Sequence, residues 1–113
     1  MDVLVTMKEN YEFRRVYEKG RSAVDPLLVT YCFKRKKGNG VRFGFTSGKK
    51  IGHAVERNRS RRIMRAAARS LFPDIQGDWD IILVARMATV NAKSTDIEKA
   101  MKKHFKKLGI IKL

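Results

Sequence analysis

From about Ala54 to Leu71 the sequence repeats with the period of an α-helix, and this segment constrains the fold more than any other. At 100° per residue Ile63, Ala67 and Leu71 share one face, with Met64 at its edge, and Pro73 stops the helix. Arg57, Arg61, Arg65 and Arg69 follow one another at i+4 in a stripe that winds slowly away from that face. Six arginines stand in the thirteen positions from Arg57 to Arg69. Like charges at this spacing repel, at roughly 0.2–0.5 kcal/mol per pair in an isolated helix. Such a helix needs an apolar surface on one side and an anion on the other. The planar fork of arginine suits phosphates and stacked bases better than an ammonium does.

The rest of the charge extends this pattern. The 113 residues carry 26 Lys+Arg against 11 Asp+Glu, a formal net charge of +15. Thirteen bases and one acid, Glu56, lie between Lys34 and Phe72, and a second cluster runs from Lys99 through Lys102, Lys103, Lys106 and Lys107 to Lys112. The acids gather in the first 25 residues and around Asp74 to Asp80. An ordinary surface alternates its signs; this one is a directed face, and nucleic acid is the default partner. The length allows one domain, 1–113, with one modest core. No apolar run approaches a membrane span, the longest being Ile81 to Ala85, so no membrane partner is expected. The start, Met1-Asp2-Val3-Leu4, lacks a basic segment before an apolar one, which points to a cytoplasmic protein. The single cysteine, Cys32, excludes an internal disulfide framework and a Cys-based zinc cluster.

Along the chain, Asn10 is expected to cap a short helix in which Phe13, Val16 and Tyr17 recur, with Gly20 at the C′ position. Asp25-Pro26 marks a turn before a strand over Leu27–Phe33. Lys34 to Lys37 with Gly38-Asn39-Gly40 reads as a hairpin connection into a second strand, where Val41, Phe43 and Phe45 alternate with Arg42, Gly44 and Thr46. Ile81–Ala85 suits a strand covered on both faces. Thr95-Asp96-Ile97-Glu98 matches a capping box for a last helix burying Ile97, Met101, Phe105 and Leu108. One sheet with helices packed on it, an α/β sandwich, is the simplest arrangement.

Candidates for catalysis are few. There are two histidines and one thiol, with no HExxH, CxxC or nucleophile elbow. His104 falls on or beside the apolar face of the last helix as a structural residue, and Cys32 reads as a small buried hydrophobe. His53, at the start of the main helix, suits contact with phosphate as well as acid–base work. Gly48-Lys49-Lys50 lacks the spacing of a phosphate-binding NTPase loop. Phe13 and Tyr17 at i, i+4, with Tyr31 and the neighbouring Arg14, Arg15 and Arg21, are what a single-strand stacking platform requires; for Phe13 core packing is an equal alternative. The residues lead to RNA binding and to no reaction.

The block Phe43-Gly44-Phe45-Thr46-Ser47-Gly48-Lys49-Lys50-Ile51-Gly52-His53-Ala54-Val55-Glu56-Arg57-Asn58-Arg59-Ser60-Arg61-Arg62-Ile63-Met64-Arg65 resembles the signature of the bacterial ribonuclease P protein subunit. The likeness continues in Phe13–Gly20, in Asp80–Arg86 and in residues 94–108, so four blocks fall in the family's order. The resemblance implies an α-β-β-β-α-β-α fold with a left-handed crossover between the parallel strands flanking the basic helix. It implies a protein partner of a catalytic RNA that removes the 5′ leader of precursor tRNA. The RNA would hold the catalytic magnesium ions, with no further protein partner required. Arg57, Asn58, Arg59, Arg61, Arg62 and Arg65, with the lysine pair Lys49 and Lys50, match positions that contact the RNA subunit. Phe13, Tyr17 and Tyr31 match the aromatic cleft that receives the leader.

Three residues, at two places, depart from the pattern. Ser47-Gly48 stands where the family has Val-Ser, and Ser60 where it prefers an aliphatic residue. Ser60 points inward on the helical wheel, so its hydroxyl needs a partner, such as the carbonyl of Glu56. A general or ribosomal RNA-binding protein is the alternative reading; it would share the charge without promoting precursor cleavage.

Overall fold

The computed structural model describes residues 4–112. In chain order the elements are β1 (Val5–Thr6), α1 (Asn10–Lys19), β2 (Arg21–Val24), β3 (Leu28–Lys34), β4 (Arg42–Thr46), α2 (Ala54–Leu71), β5 (Trp79–Ala85) and α3 (Ser94–Lys107). The five strands form one mixed sheet in the order β1-β4-β5-β3-β2. The predicted α-β-β-β-α-β-α order is present, preceded by the short β1, which pairs in parallel with β4. β4 and β5 are parallel neighbours joined through α2, and β3 is antiparallel to β5.

The expected hairpin is absent. β3 and β4 follow one another in sequence, yet β5 lies between them. The Gly38-Asn39-Gly40 segment does turn, with positive φ at Gly38 and Gly40. It spans the end of β5 instead of folding β4 back onto β3. Asp78, just before β5, holds this connection by accepting the Gly40 N–H at 2.6 Å and the Gly38 N–H at 3.2 Å.

Strand register sorts the side chains onto two faces. On one face Phe43–Ile81–Cys32 and Phe45–Leu83–Thr30 form cross-strand rows under α2 and α3. α3 buries Ile97, Met101 and Phe105 there, side chains whose removal from water contributes about 1.5–3 kcal/mol each. On the other face the rows are Arg42–Asp80–Phe33, Gly44–Ile82–Tyr31 and Thr46–Val84–Val29. α1 crosses this face and sets Val16 against Ile82 and Met7. Only one helix covers it, so Val29, Tyr31, Thr46 and Val84 remain half-buried.

Several local expectations change. Glu9, not Asn10, is the N-cap of α1, and the Glu12 carboxylate accepts the N–H groups of Lys8 and Glu9. Gly20 ends α1 with extended backbone rather than in the left-handed region. A Cβ there would collide with the carbonyl oxygens of Val16 and Cys32. α3 begins at Ser94 with Lys93 as its cap and no side-chain capping bond, so Thr95 lies inside the helix. α2 has the predicted bounds but is rotated. Its buried face is Ser60, Met64, Ala67, Ala68 and Leu71, and Ile63 moves to the edge.

His104 is buried between α3 and the sheet, its Nδ1 2.8 Å from Thr30 Oγ1 and its Nε2 3.3 Å from Asp25 Oδ2. Burial holds its pKa below the ordinary imidazole value of 6.5, outweighing the attraction of Asp25, and Lys107 and Lys103 push the same way as burial. Below that pH the unfolded chain takes up a proton that the folded chain resists, so stability rises with pH through this range and falls as acid is added. Urea midpoints at about pH 7.5 and about pH 5.5 are expected to differ more for the native chain than for His104→Gln. Equal differences would remove His104 as the cause.

Candidate nucleic-acid interface

The arginines of α2 form a graded surface. Arg57 and Arg61 border the buried face and are half-buried, whereas Asn58, Arg59, Arg62 and Arg65 are exposed. Arg61 donates to the Asn58 side chain one turn back, and the Arg65 guanidinium lies 5.3 Å from the centre of the Phe45 ring. These contacts orient two of the forks without neutralising any of them. Lys49 and Lys50 are exposed in a 3₁₀ turn, Lys49–Ile51, that joins β4 to α2. Gly52 has φ 129°, the left-handed side of the map, which lets the chain reverse into α2 with exposed His53 as its N-cap.

Ser60 fixes this helix to the strand before it. Its hydroxyl donates to the Arg57 carbonyl at 2.8 Å and shares a second hydrogen bond with the Ser47 hydroxyl. The partner is therefore one residue later than the expected Glu56 carbonyl. Ser47 and Ser60, one from each of the two places that depart from the family pattern, meet each other.

On the opposite face of the sheet, α1 and β3 bring the predicted aromatics together. Tyr17 and Tyr31 meet edge to face, with centroids 4.9 Å apart and planes at 83°. Tyr17 is 44 % exposed, which leaves room for a ligand to stack, and Tyr31 is half-buried. Burial pushes the Tyr17 hydroxyl up in pKa against the opposing pull of Thr46, so it remains a neutral donor. Phe13 reaches the same face over Gly44 and packs with Met7 and Val16. Both readings of Phe13 hold in part: it is a half-buried core residue at the margin of the aromatic cleft.

The sequence reading missed two residues that shape this cleft. Thr46 extends its floor beside Tyr17. Gly44 leaves space for Phe13, since a Cβ there would lie 2.5 Å from Phe13 Cε1. Glycine in a strand does signal close approach of another group, and that was the available clue. Gly44→Ala is expected to push Phe13 aside and cost about 1–3 kcal/mol of stability. An unchanged urea midpoint would refute that packing argument.

An ion network that the sequence reading did not foresee fixes α1 to the sheet. Asp80, fully buried in β5, accepts from Arg42 Nε and Nη2 at 2.8 Å each and from Arg15 Nη2 at 3.1 Å, with Arg35 Nε 3.6 Å away. Arg42 also pairs with buried Glu12. The Arg42 guanidinium is held the more firmly in its charged form by Asp80.

Among the described residues no three His, Cys, Asp or Glu side chains come together as metal ligands. The Thr30–His104–Asp25 row has the residue types of a hydroxyl–imidazole–carboxylate relay, but Thr30 is fully buried beneath α3 and no substrate reaches it. No described helix is long and apolar enough to cross a membrane.

Residues 1–109 match the family model for Ribonuclease P. The chain is 37 % identical over 106 residues to the ribonuclease P protein component of Oceanobacillus iheyensis, covering 94 % of this chain and 88 % of the relative. It is 35 % identical over 114 residues to that of Clostridium kluyveri, covering 99 % and 100 %. The solved RNase P protein of Staphylococcus aureus superposes with a TM-score of 0.83 at 28 % identity, covering 96 % of this chain and 99 % of that one. The RNase P protein of Thermotoga maritima, at 19 % identity and a TM-score of 0.76 over 87 % of this chain and 92 % of that one, shares the fold.

Proposed function

Because the chain belongs to the ribonuclease P protein family, we propose that it binds the catalytic RNA of that enzyme through α2 and the 5′ leader of precursor tRNA through its aromatic cleft. It is thus one component of a tRNA-processing ribonuclease, acting in the cytoplasm. The observation that carries the division of labour is the position of β4. Its Gly44 and Thr46 floor the cleft, and three residues beyond Thr46 the lysine turn begins and leads into α2. The strand that floors the cleft thus leads through the lysine turn into the arginine helix. The protein places positive charge where two polyanions must meet, and its aromatic rings extend the binding site along the leader.

Cleavage of the precursor is assigned to the RNA, together with the magnesium ions it requires. The exposed charged side chains of the lysine turn and α2 are cations, which bind and orient RNA. Binding is expected to be strongly salt-dependent and weakly dependent on leader sequence.

The test is precursor-tRNA cleavage by a bacterial ribonuclease P RNA at low magnesium, with and without the protein, beside a protein-only lane. Cleavage at the mature 5′ end that needs both components is the expected result. Tight RNA binding without stimulation would leave a general RNA-binding protein, and cleavage in the protein-only lane would overturn the assignment of chemistry to the RNA. Tyr17→Ala is expected to weaken precursor binding by about tenfold, within the 1–3 kcal/mol range for one stacked base. Its affinity for the RNA subunit should be unchanged; an equal loss of both would refute the division.

A further inference from the structure

On the flank of α1 away from the Tyr17–Tyr31 cleft lies a recess of about 400 Å³, lined by Arg15, Phe33, Lys34, Arg35, Lys36 and Asn39. We infer that this recess is a second RNA contact, which takes a backbone phosphate of a strand lying against the β3–β4 connection. The inference rests on the RNA-binding reading above but on residues that reading does not use.

Three observations support it. First, the ion network beneath the recess is short of negative charge. Among the described residues Arg15, Arg35 and Arg42 share the single carboxylate of Asp80, and only Arg42 has a second acid, Glu12. Asp78, the next nearest acid in sequence, turns its oxygens to the Gly38 and Gly40 amides. Lys34 and Lys36 add two exposed ammonium groups with no acid within salt-bridge distance among the described residues.

Second, the Nε–H of Arg15 is buried and has no hydrogen-bond partner, although the side chain as a whole is 38 % exposed. The exposed part of the guanidinium is what a ligand meets first, and a small movement of the side chain would let an oxyanion supply the acceptor that Nε lacks. The guanidinium also lies 5.1 Å from the centre of the Phe33 ring, a contact that holds it beside the recess.

Third, the recess adjoins another of about 310 Å³ that shares Phe33 and Lys34 and adds Lys19, Arg21 and Trp79. Two neighbouring basic recesses fit successive phosphates of a chain better than a single free ion. The β3–β4 connection that forms the outer wall is already held by Asp78 and by Arg35, whose Nη1 donates to the Asn39 carbonyl at 2.6 Å. Binding therefore need not order a loose loop.

The experiment follows the side-chain Nε–Hε resonance of Arg15 in the full-length protein at fixed chloride concentration. The titrants are inorganic phosphate in one arm and a short oligouridylate in the other. The expected result is a saturable shift in both arms, with the oligonucleotide effective at a concentration about tenfold lower per phosphate. Lys34→Gln with Lys36→Gln leaves the Asp80 network intact and is expected to weaken the oligonucleotide effect on Arg15 about tenfold, lowering the salt slope by about one unit. Equal potency of the two titrants would make this a free-anion site and overturn the RNA assignment. A silent Arg15 resonance, or a double variant that titrates like the native chain, would also overturn it. Should the protein still promote precursor cleavage in that case, this inference alone fails; should it not, the functional reading fails separately.

Discussion

Asp80→Ala is expected to destabilise the domain by about 3 kcal/mol, the largest single effect on stability foreseen outside the hydrophobic core. The variant leaves Arg15, Arg35 and Arg42 facing one another with their shared carboxylate gone. Breaking a buried pair by removing one partner typically costs about 3–5 kcal/mol. The lower end applies because the guanidinia keep part of their water, Arg15 most and Arg35 least. Against a total of roughly 5–15 kcal/mol for a domain of this kind, such a loss brings the chain near unfolding at moderate temperature. Urea denaturation checks it, with Asp80→Asn as the milder companion, since its amide oxygen still accepts one hydrogen bond. A midpoint for Asp80→Ala within about 1 kcal/mol of native would show that the three arginines repartner freely.

The largest functional effect is expected from Arg59→Gln, Arg62→Gln and Arg65→Gln combined. All three residues are exposed, so the fold should survive, and the helix loses some self-repulsion. Each phosphate neutralised contributes about 0.9 to the slope of log affinity against log salt. At about 0.15 M salt that corresponds to roughly fivefold per contact, hence on the order of 10² for three. Binding of the triple variant to ribonuclease P RNA across a salt series checks both numbers. A parallel shift with unchanged slope would mean that these arginines do not meet phosphates.

How much of this was legible in the sequence varies with the distance over which the determining contact acts. The bounds of α2 were readable because a helix is set by its own period and by Pro73. Its rotation was not: Ile63 is as apolar as Met64, and only the positions of β4 and α3 decide which of them is covered. The aromatic trio was recognisable as residue types with the right neighbours. That Tyr17 and Tyr31 meet depends on α1 crossing the sheet at a particular row, which no local pattern encodes.

The hairpin error has the same origin. Gly38-Asn39-Gly40 states that the chain turns and says nothing about which strand β4 will join. Asp80 was passed over for a related reason. As the last of a group of acids before an apolar run it resembles the solvated start of a strand, and its three arginine partners lie 38 to 65 residues away in sequence. Ser60 was correctly placed inward, but its partner Ser47 belongs to another element.

The insertion of β5 between β3 and β4 also bears on how the chain is made. A ribosome delivers β3 and β4 well before β5, and during that interval neither strand has its permanent neighbour on the side that β5 will fill. Open strand edges are templates for wrong pairing, and the lysines and arginines flanking them limit it by repulsion. The sheet closes only when the last third of the chain emerges, through contacts of long sequence separation that form slowly. A nascent chain with so many uncompensated cations is therefore exposed to surrounding RNA before its own architecture is complete, and folding and first encounter with a polyanion overlap in time.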